Sequence, residues 1–180
     1  MTHNVGLATG FTIGLIAGLI LVGVLLKFAN KDKKIKTEYD ERQKEIRNKG
    51  YVIGFYTLII LMAVEAIWSI SGIEFPMPEY LINFMIMIIG VTVMCSYCIW
   101  KGVYWGMNND PKRYMAIFAI AIFLNFIPIV NAIRKGGMDL NDSIDSLPVL
   151  NIIVIAMMVT VLLVMLIRKL TDKSSDGEEE

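Results

Sequence analysis

Histidine and cysteine are scarce in this chain of 180 residues, which contains one histidine, His3, and two cysteines, Cys95 and Cys98. These leave too few ligands for a structural zinc site, which usually takes four. The cysteines form a C-x-x-C pattern in the last turns of an apolar run, where the helix dipole does not favour a thiolate. We interpret them as small packing residues, with thiol chemistry near Lys101 as the weaker alternative.

The sequence also lacks the motifs of common enzyme classes, since it has no P-loop, no HExxH, no GxSxG and no kinase-like set. No segment outside the apolar runs is long enough to form a soluble domain that holds a cofactor. We therefore expect no cofactor, no metal and no catalytic activity. Nucleic-acid binding is not expected either, because acidic residues interrupt the basic segment and no base-stacking aromatic residues accompany it.

Charged residues are rare or absent in five apolar runs, and these runs define the architecture. Hydrophobic residues make up 56% of the chain and the formal net charge is zero, which leaves too little polar surface for a soluble domain. Each run has about 20 residues, the length that a helix needs to cross roughly 30 Å of hydrocarbon. The sequence predicts an all-α bundle of five transmembrane helices. They cover about residues 5–26, 51–70, 80–100, 114–133 and 148–167.

Basic residues occupy alternate connections between the runs. They are concentrated between the first two runs and absent from residues 71–79, and Lys112, Arg113 and Arg168 mark later connections on the same side. By the positive-inside rule, the N-terminus is predicted to lie outside and the C-terminus inside. Because its basic residues follow the first run, we expect a retained anchor there and not a signal peptide. Residues 168–180 form a cytoplasmic acidic tail in this interpretation.

The charged segment 27–50 is predicted to be a cytoplasmic helix that continues into the second span. Acidic residues precede basic ones by four positions in three pairs, a spacing that stabilises helices. The pairs are Glu38 with Arg42, Asp40 with Lys44, and Glu45 with Lys49. We expect this helix to face water and lipid headgroups, with docking to a cytoplasmic partner as the alternative.

The stretch YDERQKEIRNKGYVIGFYTL in this region resembles a segment that precedes the second span in uncharacterised small multi-pass bacterial membrane proteins, particularly Gram-positive ones. That family has no assigned activity or catalytic residues. The resemblance therefore implies residence in a bacterial plasma membrane and no particular chemistry. We expect the residues that carry it to contact a partner or lipid: Asp40, Glu41, Arg42, Gln43 and Arg47.

Glycine recurs at every fourth position of the first run, at Gly6, Gly10, Gly14 and Gly18. These positions share one stripe of a helix, where small residues let another helix approach closely in lipid. The stripe is predicted to pack against another helix of the chain. The alternatives are the same helix of a second subunit, which would make a homo-oligomer, or a closely fitting membrane lipid.

Glu65 is the only acidic or basic residue inside a span, and a carboxylate at membrane depth is treated as functional by default. Other polar residues fall in the same half of their spans. If they converge, Glu65 has a pocket in which it binds a cation, exchanges a proton or pairs with an arginine. The alternative is ordinary hydrogen bonding between helices. The other members of this predicted site are Asn83, Asn125, Asn131, Arg134 and Asn151.

These observations predict a non-catalytic integral membrane protein, an accessory, regulatory or interaction subunit in a bacterial plasma membrane. The alternative function is a carrier or channel subunit for a cation or small polar solute. That alternative depends on Glu65 and the asparagines of the outer half.

Overall fold

The computed structural model describes residues 2–72, 77–138, 140 and 146–176. Across this part of the chain the only β-type pairing is an isolated antiparallel bridge between Asn30 and Asn109. The rest is organised as five helices, each with a stretch long and apolar enough to cross a membrane. This confirms the all-α, multi-pass architecture. The helices are α1 (Thr2–Ala29), α2 (Glu41–Ile70), α3 (Glu79–Trp100), α4 (Pro111–Arg134) and α5 (Leu147–Asp176).

The helix predicted over residues 27–50 is present only in its second half. Residues 30–40 are not helical, because Asn30 bonds to the backbone of a turn in which Lys33 has a left-handed φ of 57°. From Glu41 onward, α2 runs without a break into the apolar stretch, as predicted. The predicted pair of Glu45 and Lys49 is formed at 2.8 Å.

The last helix extends further than the sequence predicted. α5 continues to Asp176, beyond the span that was expected to end near residue 167. The start of the predicted acidic tail is therefore helical. Residues 177–180 of that tail lie outside the described residues.

The chain divides into two compact units, of which unit 1 comprises Met1–Asp40 with Trp105–Ile117 and unit 2 comprises Glu41–Tyr104 with Phe118–Glu180. In unit 2, α3 packs against both α2 and α5. In the apolar window of α3, 28% of the residues are buried, against 6% in those of α2 and α5. α3 is therefore the most enclosed of these three helices, and its neighbours expose apolar side chains as lipid-facing helices do.

Glycines bring α2 and α3 into close backbone contact within unit 2. A Cβ atom added to Gly50 would lie 3.0 Å from Cys98 Sγ, and one added to Gly54 would lie 3.2 Å from Gly90 O. A Cβ atom on Gly90 would lie 2.6 Å from Leu58 Cδ2. These contacts use the close approach that small residues permit between membrane helices.

The glycine stripe of α1 has a different environment. A Cβ atom on any of Gly6, Gly10, Gly14 and Gly18 would have no atom of the described residues within 4 Å, outside its own helix backbone and chain neighbours. The helix-packing role of this stripe therefore stays a prediction.

Candidate functional site

The six polar residues of the predicted membrane pocket occupy separate environments. Glu65, Asn125 and Asn151 are half-buried, whereas the other three are exposed. The amide nitrogen of Asn125 donates to Ala121 O at 2.8 Å, and that of Asn151 donates to Leu147 O at 3.3 Å, each within its own helix. The exposed members are Asn83, Asn131 and Arg134.

In the part of the chain that the structure describes, no hydrogen bond or ion pair joins any two of these six residues. A pocket built from them stays a prediction. The convergent polar site of this structure lies elsewhere, in the non-helical segments of unit 1. We call Asn30, Asn108 and Asn109 the asparagine cluster; their exposed fractions are 0%, 8% and 5%.

Asn30 follows the last residue of α1 and bonds in two directions. Its Nδ2 donates to Lys34 O at 2.7 Å, which closes the turn after the helix. Its Oδ1 accepts from Asn109 Nδ2 at 2.7 Å and from the Tyr114 hydroxyl at 3.1 Å. The side chain of Asn30 thereby fixes both its own turn and the segment before α4.

Asn108 holds the extended segment that leads to α2. Its Oδ1 accepts from the backbone N–H of Glu38 at 2.8 Å, and its Nδ2 donates to Lys36 O at 3.0 Å. The same Nδ2 lies 3.1 and 3.2 Å from the two carboxylate oxygens of Asp32. Its carbonyl also accepts from Lys31 N at 2.8 Å. One amide side chain thus replaces backbone pairing along most of a non-helical segment.

Asn109 and Gly106 complete the turn between residues 105 and 110. Asn109 Oδ1 accepts from Gly106 N at 2.7 Å. Gly106 is buried, and a Cβ atom there would lie 2.6 Å from Glu38 O and would also overlap Thr37 Cγ2. Glycine is required here for close backbone approach.

Charges reinforce the turn after α1. The pKa of Asp32 lies below its ordinary value, first because its carboxylate accepts from the N–H of Lys34 and further because Asn108 donates to it. The pKa of Lys34 is raised, mainly by its hydrogen bond to Glu38, whose carboxylate lies 3.2 Å from Nζ. Both groups are therefore charged at neutral pH.

The start of α4 is capped by Asp110. Its Oδ1 accepts from the N–H of Lys112 at 3.1 Å, and Pro111 occupies the first helical position, where its missing N–H has no cost. Asp110 Oδ2 also lies 3.3 Å from Arg113 Nε. The backbone N–H of Asp110 donates to Ala29 O at 3.1 Å, so the start of α4 is attached to the end of α1.

In unit 2, Arg47 bonds to the connection that follows α3. Its Nη1 donates to Val103 O at 3.3 Å and to Tyr104 O at 3.5 Å, and its Nη2 donates to the Tyr51 hydroxyl at 3.0 Å. Val103 is 1% exposed. The structure shows this internal contact for Arg47, and its expected contact with a partner or lipid stays a prediction.

Arg168 of α5 makes a similar contact at the end of α3. Its Nη1 donates to Ile99 O, and its Nε lies 3.4 Å from Asp172 Oδ2. The helix ends in a turn at Gly102, whose φ is 75°, with Val103 N donating to Cys98 O at 2.9 Å. This is the hydrogen bond of a Schellman motif. Arg168 thus binds a carbonyl group in the last turn of α3, and Arg47 binds carbonyl groups of the connection that follows it.

Neither the asparagine cluster nor the contacts of Arg47 and Arg168 were predicted from the sequence. Asp110 followed by Pro111 is a recognisable helix start, and Gly102 a recognisable helix end. Both bracket the segment GVYWGMNND as a structured turn. Nothing in the sequence indicates which distant backbone groups its asparagines bind.

The asparagine cluster and the contacts of Arg47 and Arg168 hold backbone segments in place and do not bring reactive side chains together. Every buried side-chain nitrogen or oxygen atom among the described residues has a hydrogen-bond partner, and no three His, Cys, Asp or Glu side chains there are grouped to hold a metal ion. No protein-family model, curated protein or solved structure matches the chain. The functional argument is therefore made from this geometry.

Proposed function

We propose that this protein is a non-catalytic interaction subunit of a bacterial plasma membrane, which holds a charged cytoplasmic surface in a fixed form for another protein. The observation that carries the proposal is the asparagine cluster. Its buried side-chain amides bind segments 30–40 and 105–110 to each other. Flexible loops would be enough to connect spans, so this order indicates a further role for the two segments. A fixed surface loses less conformational entropy on binding than a flexible one.

The proposed orientation has the N-terminus outside and the C-terminus inside. It is supported in unit 2 by Arg168 of α5, which contacts the last turn of α3, and by Arg47 near the start of α2, which contacts the connection that follows α3. Arg47, Arg168 and the exposed Lys101, which follows the last residue of α3, therefore gather at one end of this unit. Such a concentration of positive charge is typical of the cytoplasmic side.

The partner contact is proposed to involve the first turn of α2. Glu41, Arg42 and Lys44 are exposed, and their side chains have no hydrogen bond or ion pair among the described residues. Asp40 and Gln43, by contrast, already interact within the protein. The segment that resembles bacterial membrane proteins is thus divided into internally bonded positions and available charged ones.

Site-specific photo-cross-linking in native membranes tests this proposal. A photoreactive residue at position 42 is expected to give one discrete adduct with a second protein, and the Lys44→Glu substitution is expected to abolish it. Lys101→Glu makes the same charge change at another exposed site and is expected to leave the adduct intact. Absence of a discrete adduct at positions 41, 42 and 44 would contradict the proposal.

The side of the membrane is tested separately by labelling. A cysteine at position 44 is expected to resist a membrane-impermeant maleimide in intact cells and to react after lysis, relative to the parent protein with only Cys95 and Cys98. Reaction in intact cells would reverse the proposed orientation.

A second candidate function, transport of a cation or small polar solute, is favoured by Glu65. Its side chain is half-buried in the apolar part of α2 and has no hydrogen bond or ion pair among the described residues. A carboxylate in this setting attracts a cation or a proton. In proteoliposomes, Glu65→Gln is expected to abolish ion or proton flux if this function holds, whereas Glu79→Gln, the same change at an exposed residue outside the predicted site, is expected to leave it unchanged. Unchanged flux would exclude a role for Glu65.

A further inference from the structure

A cleft of about 570 Å³ lies at the end of α1 in unit 1. This volume falls within the range of small-molecule sites. Three of the five residues that line it are basic and two are apolar. They are Val24, Lys27, Phe28, Lys33 and Arg113.

The positive charge of this cleft is only partly compensated. Arg113 has Asp110 as its ion-pair partner at 3.3 Å, while its Nη1 donates to Phe28 O at 3.0 Å. Its Cζ atom lies 5.6 Å from the centre of the Phe28 ring. Lys27 and Lys33 have no side-chain hydrogen bond or ion pair in the described part of the chain. Two ammonium groups therefore remain available to an anion.

The backbone at Lys33 is held in an unusual conformation. Its φ of 57° makes it the only described residue other than glycine with a positive φ. A lysine is disfavoured there relative to glycine. The fully buried Asn30 holds this conformation. Its backbone carbonyl accepts from Lys33 N at 3.2 Å, and its side-chain Nδ2 donates to Lys34 O at 2.7 Å. Such local strain is typical of functional positions, and here it fixes the place from which the Lys33 ammonium extends.

The cleft has an apolar part and a basic part, as a membrane lipid has an acyl chain and a headgroup. Val24 lies within the apolar stretch Thr12–Ala29, Lys27 and Phe28 lie in its last turn, and Lys33 lies beyond its end, while Arg113 lies in the first turn of α4. An amphiphile with an anionic headgroup and an acyl chain matches this change from apolar to basic lining. We infer that the cleft binds an anionic phospholipid, with its phosphate between Lys27, Lys33 and Arg113 and its acyl chain against Val24 and Phe28.

This inference depends on the membrane-spanning architecture and not on the proposed interaction partner. Native mass spectrometry of the delipidated full-length protein in detergent tests it, with phosphatidylglycerol and phosphatidylcholine of identical acyl chains as probes. We expect the protein to bind phosphatidylglycerol more tightly. Lys27→Gln/Lys33→Gln is expected to weaken that binding about 30-fold, because each basic residue near a membrane surface contributes about 5-fold. Binding of phosphatidylcholine is expected to stay the same.

The matched control is Lys31→Gln/Lys36→Gln, which removes the same charge from exposed lysines of the same segment outside the cleft. It is expected to leave binding unchanged; an equal loss would show that attraction is diffuse and would overturn the inference. Equal affinity of the parent protein for the two lipids would also overturn it. Inorganic phosphate in millimolar excess is expected not to displace phosphatidylglycerol, and displacement would identify a free anion as the ligand instead.

A further variant separates binding from folding. Lys33→Gly suits the left-handed backbone better than lysine does and removes only the side chain. We expect its thermal stability in detergent to equal or exceed that of the parent, while affinity for phosphatidylglycerol falls about 5-fold. A stable Lys33→Gly variant with undiminished affinity would show that Lys33 does not hold the lipid.

Discussion

Asn109 donates a hydrogen bond of 2.7 Å from Nδ2 to Oδ1 of Asn30, a residue 79 positions earlier in the chain. Both side chains are buried. The bond joins the end of α1 to the turn before α4, and the neighbouring contacts of Tyr114 and Asn108 depend on the same geometry. The two non-helical segments of unit 1 therefore form one structure.

Removing the amide of Asn30 is expected to destabilise unit 1. Asn30→Ala leaves a proton of the buried Asn109 Nδ2 and the part-buried carbonyl of Lys34 without these partners, which costs about 1–3 kcal/mol. Thermal unfolding in detergent measures the loss. Asn83→Ala, which alters an exposed asparagine, is the control and is expected to change stability by less than about 0.5 kcal/mol. Equal stability of both variants would show that the cluster contributes nothing.

Adding a methyl group at Gly106 is expected to separate the two segments. The new Cβ atom of Gly106→Ala would overlap Thr37 and Glu38, and relief of such overpacking costs about 1–3 kcal/mol. Limited proteolysis is expected to cut the 30–40 segment faster in the variant. A variant as resistant as the parent would argue against close contact here.

Gly90 of α3 and Gly14 of the α1 stripe are expected to respond differently to substitution by alanine. Gly90→Ala introduces a Cβ atom 2.6 Å from Leu58 Cδ2 and is expected to lower the unfolding temperature in detergent. Gly14→Ala has open space and is expected to leave that temperature unchanged or raised, since alanine favours a helix by about 0.5–1 kcal/mol. If Gly14→Ala instead reduces association measured by energy transfer between labelled copies in vesicles, the α1 stripe packs against a second subunit.

Substitutions at Arg47 and Arg42 are expected to distinguish an arginine that orders the connection after α3 from one that only carries surface charge. Arg47→Gln removes the guanidinium that binds Val103 and Tyr104, and we expect faster hydrogen exchange in residues 101–106. Arg42→Gln makes the same change at an exposed position and is expected to leave this exchange unaltered. Identical exchange profiles would show that Arg47 does not order the connection.

The pKa of Asp32 is lower in the folded protein than its ordinary value of 3.8, so its carboxylate stabilises the fold above that pH. The stabilisation is lost as the pH falls through the folded pKa, when protonation removes the acceptor for Lys34 N–H and Asn108. We expect acid unfolding below about pH 4 to be less steep in Asp32→Asn than in the parent. Superimposable acid profiles would exclude this contribution.

The five helices are predictable because crossing the hydrocarbon core requires about 20 consecutive apolar residues. The composition of each run therefore indicates a helix without any knowledge of its contacts. The start of α2 is not predictable in this way. Each i,i+4 charge pair stabilises a helix by about 0.2–0.5 kcal/mol, so bonds from Asn30 and Asn108 outweigh the two predicted pairs that begin in this segment, at Glu38 and Asp40. Glu38 accordingly pairs with Lys34 and not with Arg42.

Glycine spacing alone does not identify the packed helix face. Gly50 and Gly54 have the same four-residue spacing as the α1 stripe, and within unit 2 they lie in close contact with α3. On α3 these two glycines face the small residues Cys98 and Gly90, whereas the packing of the α1 stripe stays a prediction. Likewise the asparagine cluster depends on contacts between residues about 80 positions apart, which local patterns do not encode.

The bond between Asn30 and Asn109 also sets an order for biosynthesis. At about 5–20 residues per second, a ribosome needs roughly 4–16 s to make the 79 positions between them. The turn after α1 therefore lacks its hydrogen bond to Asn109 until α2, α3 and the GMNND turn have been synthesised. A nascent chain arrested before Asn108 lacks the groups that bury Asn30, so quality-control proteases would meet residues 30–40 in an unprotected form.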